Sequence, residues 1–172
     1  MENTLYHLSI IMHKIYPLIE KTNFPSIRRS SLKTIQVNLG YKCNQSCLHC
    51  HVNAGPKRKE MMDKETIDNV VDFAITNRIK TVDLTGGAPE MNKYFKYMIK
   101  KLKEYDIHVI DRCNLTILDE DGMRELPEFF VKNNIEIIAS MPCYIKTNVD
   151  QQRGKGVFDK SINMLRILNN YG

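Results

Sequence analysis

The chain has 172 residues, enough for one domain that buries roughly 70% of the surface of its unfolded form. Hydrophobic residues make up 42% and charged residues 26%, the balance of a globular protein, and five cysteines at uneven spacing exclude a disulfide framework and point to a reducing cytoplasm. The net charge of +5 is spread along the chain apart from Lys57-Arg58-Lys59 and Lys100-Lys101-Lys103; neither run has interleaved aromatics, so both read as solvated faces rather than nucleic-acid contacts, with an anionic ligand as the alternative.

Residues 4–20 place Leu5, Leu8, Ile11, Ile15 and Leu18 on one side of an expected amphipathic helix. It carries His13 and Lys14 and lacks a small-residue cleavage site, so it does not read as a signal peptide. No stretch reaches the ~20 apolar residues that span a membrane. Asn23-Phe24-Pro25-Ser26 breaks the pattern, and an N-terminal helical extension over 1–30 is expected to precede a core over 31–172. Residues 33–39 alternate apolar and polar as a strand does. A loop of roughly twenty residues follows, long enough to suggest a function. Asp63 offers an N-cap to a helix over 63–78. A strand at 81–85 ends in Gly86-Gly87. Then come a helix at 92–105, a strand at 107–112, a helix at 120–134 with Pro127 as a kink or break, a strand at 135–141 and a helix at 158–170.

Strands alternating with helices imply parallel pairing and right-handed crossovers. Both an open doubly wound sheet and part of a barrel fit that order. Gln36, Asn38, Thr81, Asp83, Thr85, Glu136 and Ser140 put polar groups on the strands, where a sheet covered on both faces would be apolar throughout. This suggests a sheet with one face turned to a ligand cavity: an α/β fold forming a partial (βα) barrel of about four βα units. A full eight-fold barrel takes about 250 residues, so the chain is expected to be part of a longer protein or a short form. The last strand would then be an open edge, prone to self-association.

Cys43, Cys47 and Cys50 stand in a C-x3-C-x2-C arrangement on the long loop, with Cys113 and Cys143 far downstream. A closed zinc site needs four ligands, and His49 or His51 would complete it only by folding back beside Cys50. Electron-transfer clusters use four thiolates at other spacings. Three thiolates on a four-iron cluster leave one iron open to a small chelating molecule.

That spacing, on the loop after a first strand, resembles the signature of radical S-adenosylmethionine (radical SAM) enzymes. Gly86-Gly87-Ala88-Pro89-Glu90 resembles the superfamily's glycine-rich "GGEP" motif, with Ala88 where Glu is common and Glu90 displaced by two. Within the superfamily, "IQVNLGYKCNQSCLHCHVNAGP", "DLTGGAPEMN", "VIDRCNLTIL" and "ASMPCYIKTNVDQQRGKGVF" resemble the arsenosugar-biosynthesis branch, whose members are longer. The resemblance implies a [4Fe–4S] cluster on Cys43, Cys47 and Cys50, with S-adenosylmethionine on the open iron and against Gly86, Gly87, Pro89 and Glu90. It implies reductive cleavage to a 5′-deoxyadenosyl radical, a transferase activity placing adenosyl on a trivalent dimethylated arsenical, and an electron donor such as flavodoxin or ferredoxin.

Further candidates lie at the ends of expected strands, where barrel sites are built. Arg112 suits the cofactor's carboxylate. Asn114 and Ser140 suit its ribose or carboxylate. The soft thiols of Cys113 and Cys143 suit arsenic(III). For each the alternative is an ordinary structural role: a polar loop residue, an ion pair or an inert buried thiol. Gly154 and Gly156 read as the start of a helix near the adenosine. Other readings of the chain are a radical SAM enzyme acting on a peptide, a non-catalytic iron–sulfur or zinc module, and a truncated product without activity.

Overall fold

A computed structural model describes residues 22, 23, 25, 28 and 30–172; the helix expected over 4–20 lies outside them. Residues 32–172 form one compact unit. Four strands, β1 (Thr34–Asn38), β2 (Thr81–Thr85), β3 (His108–Asp111) and β4 (Glu136–Ile137), build a parallel sheet in the order β1-β2-β3-β4. Each parallel step needs a crossover, and α1 (Lys64–Thr76), α2 (Phe95–Lys103) and α3 (Leu126–Lys132) supply them. Helices α4 (Lys146–Arg153) and α5 (Val157–Asn169) follow β4.

The two-residue period of the strands sorts the sheet into two faces. Ile35, Val37, Val82, Leu84 and Val109 share one face through the register Ile35↔Val82↔Val109 and Val37↔Leu84. They pack with Ile67, Val71 and Ala74 of α1 and with Met98, Ile99 and Leu102 of α2. Each such side chain, fully buried, contributes about 1.5–3 kcal/mol. The opposite face is polar. Gln36 faces Asp83 in register and donates to it at 3.1 Å. Arg112 grips the same carboxylate through Nε and Nη2 at 2.8–3.0 Å, and His108 meets Glu136 at 2.7 Å. The polar strand positions of the sequence are therefore one continuous surface.

Several boundaries differ from the expected ones for local reasons. Asp63 does cap α1, accepting from the Thr66 N–H at 2.9 Å, and that bond holds its carboxyl below the usual range. α2 starts at Phe95 rather than 92 because Asn92 is otherwise engaged: its amide donates to the carbonyls of Leu39 and Met62. Pro127 opens α3 instead of kinking it, since a first-turn residue needs no N–H. β4 has two regular residues, but its hydrogen bonding to the β3 side continues irregularly as far as Ser140. α4, in which Val149 alone is buried, carried no apolar period to announce it.

Candidate active site

Residues 40–62 form a long loop across the carboxyl end of the sheet. It is fastened to the turn after β2: the Gly87 N–H donates to the Gly40 carbonyl and the Ala88 N–H to that of Lys42, both at 2.9 Å. A Cβ on Gly87 would lie 2.4 Å from the Lys42 oxygen, and one on Gly86 2.6 Å from the Gly40 oxygen. Gly86 also has φ +145°, a conformation that other residues rarely adopt. The glycine pair thus lets the cysteine loop seat on β2. The expectation that these glycines make room for a ligand finds a nearer cause in this backbone packing.

Seated this way, the loop forms one wall of a cleft of about 450 Å³. Cys43, Cys47 and Cys50 line it, all as free thiols, and Gly86 and Gly87 form its floor at the end of β2. Burial pushes the Cys43 thiol up, against the lowering effect of the Gln45 N–H that donates to its sulfur at 3.4 Å. Burial also raises Cys47, while the charge of Arg153 works the other way. No carboxylate lines the cleft among the described residues. Three soft donors converging without a hard one fit an iron–sulfur cluster better than a hard cation.

The wall opposite comes from the β3–α3 connection. The Asn114 amide donates to Cys43 Sγ at 3.5 Å and to Asn44 Oδ1 at 2.9 Å. Thr116 Oγ1 accepts from Asn44 at 3.0 Å and from Gln45 at 2.7 Å. The Cys47 thiol in turn donates to Gln45 Oε1 at 3.3 Å. Leu115, between Asn114 and Thr116, holds φ 64°, a strain of about 1–3 kcal/mol that the surrounding packing fixes. On the far side, Arg153 reaches from α4 to donate to the Ser140 carbonyl and hydroxyl at 2.7 and 2.6 Å. Gln45, Thr116 and Arg153 escape a reading of the sequence. Their only signal is position, between two cysteines, two residues past Asn114, and beside the Gly154 already marked as a helix start.

Arg112, Asn114 and Ser140 line the cleft as the sequence suggests; Pro89, Glu90, Cys113 and Cys143 do not. Arg112 is committed on its Nε and Nη2 to Asp83. Burial drives Asp83 up, but the hydrogen bonds and charge of Arg112, with Gln36, bring it below the usual carboxylate range. Pro89 starts a buried 3-10 turn, Pro89–Met91, and lies off the cleft. Cys143 is half-buried at the start of α4, where its sulfur accepts from the Ile145 N–H at 3.4 Å. Glu90 and Cys113 are buried on the helix-covered side of the sheet with Asp111, their ligand atoms within 4.8 Å of one another. The alternation of β3 dictates this. Asp111 pairs with Leu84 on the apolar face, and Cys113, two residues on, follows it. Among the described residues no outside donor reaches the four carboxylate oxygens, which face one another and the Cys113 thiol. Burial raises both carboxyls, Asp111 further through the charge of Glu90. Burial likewise holds Cys113 as a thiol.

Comparison with known proteins identifies the class that this architecture defines. The Radical SAM superfamily matches residues 37–172, and the chain belongs to that superfamily, whose enzymes use a [4Fe–4S] cluster and S-adenosylmethionine. The antilisterial bacteriocin subtilosin biosynthesis protein AlbA of Bacillus subtilis is 24% identical over 139 residues, covering 78% of this chain and 30% of that protein. A probable GTP 3′,8-cyclase of Sulfurisphaera tokodaii is 31% identical over 88 residues, covering 51% of this chain and 28% of the relative. The structure of Streptococcus suis SuiB bound to S-adenosylmethionine superposes with a TM-score of 0.69 at 15% identity, covering 98% of this chain and 43% of SuiB. The fold is thus a partial (βα) barrel of the radical SAM type. The chain spans under a third of the length of the curated relatives it matches.

Proposed function

We propose that this chain is the cofactor-binding part of a radical SAM enzyme, with the cluster held by Cys43, Cys47 and Cys50. The observation that carries this is the convergence of three free thiols on one cleft beside the Gly86-Gly87 turn. When bound, the cluster supplies the electron that cleaves the C5′–S bond of S-adenosylmethionine into methionine and a 5′-deoxyadenosyl radical. The chain's own residues orient and shield. Asn114 and the Gln45 N–H fix the Cys43 sulfur. Arg153 eases ionisation of Cys47 and holds Ser140 at the cleft edge. Gly86 and Gly87 present backbone to the cofactor's methionyl end. Arg112, whose Nη1 has no hydrogen bond among the described residues, is the cation for its carboxylate, with Asn114 and Ser140 as neighbours.

For the acceptor, the resemblance of the quoted segments to the arsenosugar branch supports adenosyl transfer to a trivalent dimethylated arsenical. Cys113 takes no part, since its thiol faces Glu90 and Asp111 rather than the cleft. Peptide modification is the second reading. It is favoured by AlbA, a bacteriocin biosynthesis protein, and by the structure of SuiB bound to its precursor peptide SuiA, with a TM-score of 0.68. The chain reconstituted anaerobically with iron and sulfide, reduced with dithionite and given S-adenosylmethionine should release 5′-deoxyadenosine. With dimethylarsinous acid present it should give an adenosylated arsenical by mass spectrometry. Cleavage that yields product only on a peptide would move the acceptor to the second reading; a loaded cluster with no cleavage would refute the function of the chain on its own.

A further inference from the structure

Two side chains from the sequence motifs have no place in the cleft. Glu90 comes from the turn after β2 and Cys113 from just past β3, and Asp111, the last residue of β3, joins them behind the sheet. One ligand atom from each lies within 4.8 Å of the others. That is close to the spread of donors around a single ion bound at about 2.0–2.3 Å. Glu90 is 5% exposed, and Asp111 and Cys113 are 0% exposed. Asp83, the other buried carboxylate of the sheet, is matched by Arg112 and Gln36. Glu90 and Asp111 are matched by no cation, and no outside donor reaches their oxygens among the described residues. Two acids enclosed together repel when ionised and lack solvation when either is charged. The Cys113 sulfur is meanwhile held as a ligand sulfur is: it accepts the Leu115 N–H at 3.3 Å, as Cys43 accepts the Gln45 N–H at 3.4 Å.

We propose that Glu90, Asp111 and Cys113 form a second metal site, separate from the thiol cleft, which takes a borderline divalent ion such as zinc. Zinc accepts carboxylate oxygen and cysteine sulfur together, whereas the sulfur argues against magnesium and calcium, which take oxygen. Three residues suffice for four bonds, because either carboxylate is free to bind through both of its oxygens. The two carboxylates cancel the charge of a divalent ion, which offsets the cost of enclosing them. The zinc-free chain holds protons there instead, and these leave to solvent as the ion binds. The site lies directly behind the cleft. The Ala88 N–H, two residues before Glu90, donates to Lys42 on the thiol loop, and Asn114, next to Cys113, donates to Cys43. The ion therefore ties the β2 turn to the end of β3 and steadies both straps of that loop. The site needs no cluster in the cleft and stands apart from the proposed function.

The test removes the competing thiols. The full chain as C43A/C47A/C50A/C143S keeps Cys113 as its only thiol. Because the site is enclosed, the ion enters as the chain folds, so the variant is produced with zinc present and then dialysed against a chelator. It should keep about one zinc per chain by elemental analysis. Refolded with cobalt(II) instead, it should show a sulfur-to-cobalt charge-transfer band, which only Cys113 is left to supply. Adding E90Q/D111N should abolish both signals while circular dichroism still reports a folded chain. The wild-type chain, grown with zinc, should lose about one zinc per chain on the same E90Q/D111N change, so the result does not hang on the four substitutions. A zinc count that E90Q/D111N leaves unchanged in the wild-type chain overturns the site. So does zinc retention without a cobalt–sulfur band, which marks an adventitious ion only. A folded single-thiol chain that keeps no metal also overturns it, and leaves the three groups as two protonated acids and an inert thiol.

Discussion

Cys43 is held from two directions, by the Gln45 N–H on its own loop and by the Asn114 amide from the β3–α3 connection. Groups that orient a ligand sulfur matter almost as much as the ligand. Asn114→Ala is therefore expected to weaken iron retention by about tenfold, measured by competition with a chelator on the reconstituted protein. Cys43→Ala, Cys47→Ala and Cys50→Ala should each lose most of the iron and sulfide, whereas Cys113→Ser should keep the full complement because its thiol lies on the other side of the sheet. Three variants that all retain iron would show that the cluster sits elsewhere. The three thiols were readable from spacing alone, since spacing within one loop is itself a geometric statement. The partners of those thiols were not. Asn114 is 71 residues from Cys43, and Thr116 meets Gln45 across the same gap, distances that only the folded register closes.

Among the elements, the turn after β2 bears the closest contact. An alanine Cβ at Gly87 meets the Lys42 carbonyl, a backbone atom that cannot step aside. Gly87→Ala should cost about 1–3 kcal/mol, visible as a lower urea midpoint, and should loosen the thiol loop as well. Just beyond it, Glu90 and Asp111 link the turn to β3. Their carboxyls are raised by burial, so their contribution to stability is full below the ordinary carboxyl range and is lost as pH rises through the raised values. Stability should thus decline toward alkaline pH, and Glu90→Gln should flatten that decline. A carboxylic C=O stretch in the infrared spectrum at neutral pH, absent from a Glu90→Gln/Asp111→Asn double variant, would identify the shared proton directly. The order of strands and helices was legible because each has a hydrophobic period of its own. Glu90 and Cys113 were misplaced because a motif tells the position of a turn and not which face of the sheet its side chains take. α4 was missed because a polar helix has no period to read.

At the scale of the molecule, cofactor binding and folding draw on the same contacts. S-adenosylmethionine at a hundredfold excess over its dissociation constant should stabilise the cluster-loaded chain by about 2.7 kcal/mol, seen as a rise in Tm over the loaded chain alone. The alternating pattern was enough to give four parallel units. The polar strand positions gave the sheet its two unlike faces, confirmed in the Gln36–Asp83–Arg112 chain. The acceptor stayed out of reach in the sequence because its recognition depends on the cleft beyond the shared cofactor.

The lacing of residues 43–47 to Asn114 and Thr116, and of the Leu48 N–H to the Gln152 carbonyl, sets an order of events in the birth of the protein. A nascent chain that has cleared the ribosome only as far as β2 owns all three thiols but neither of the straps that aim them. Metal delivered then would meet a floppy tripod open to oxidation and to the wrong ion. Delivery after translation of α4 meets a finished socket. Loading of the thiols is therefore expected to follow the folding of the chain through α4, when both straps are in place.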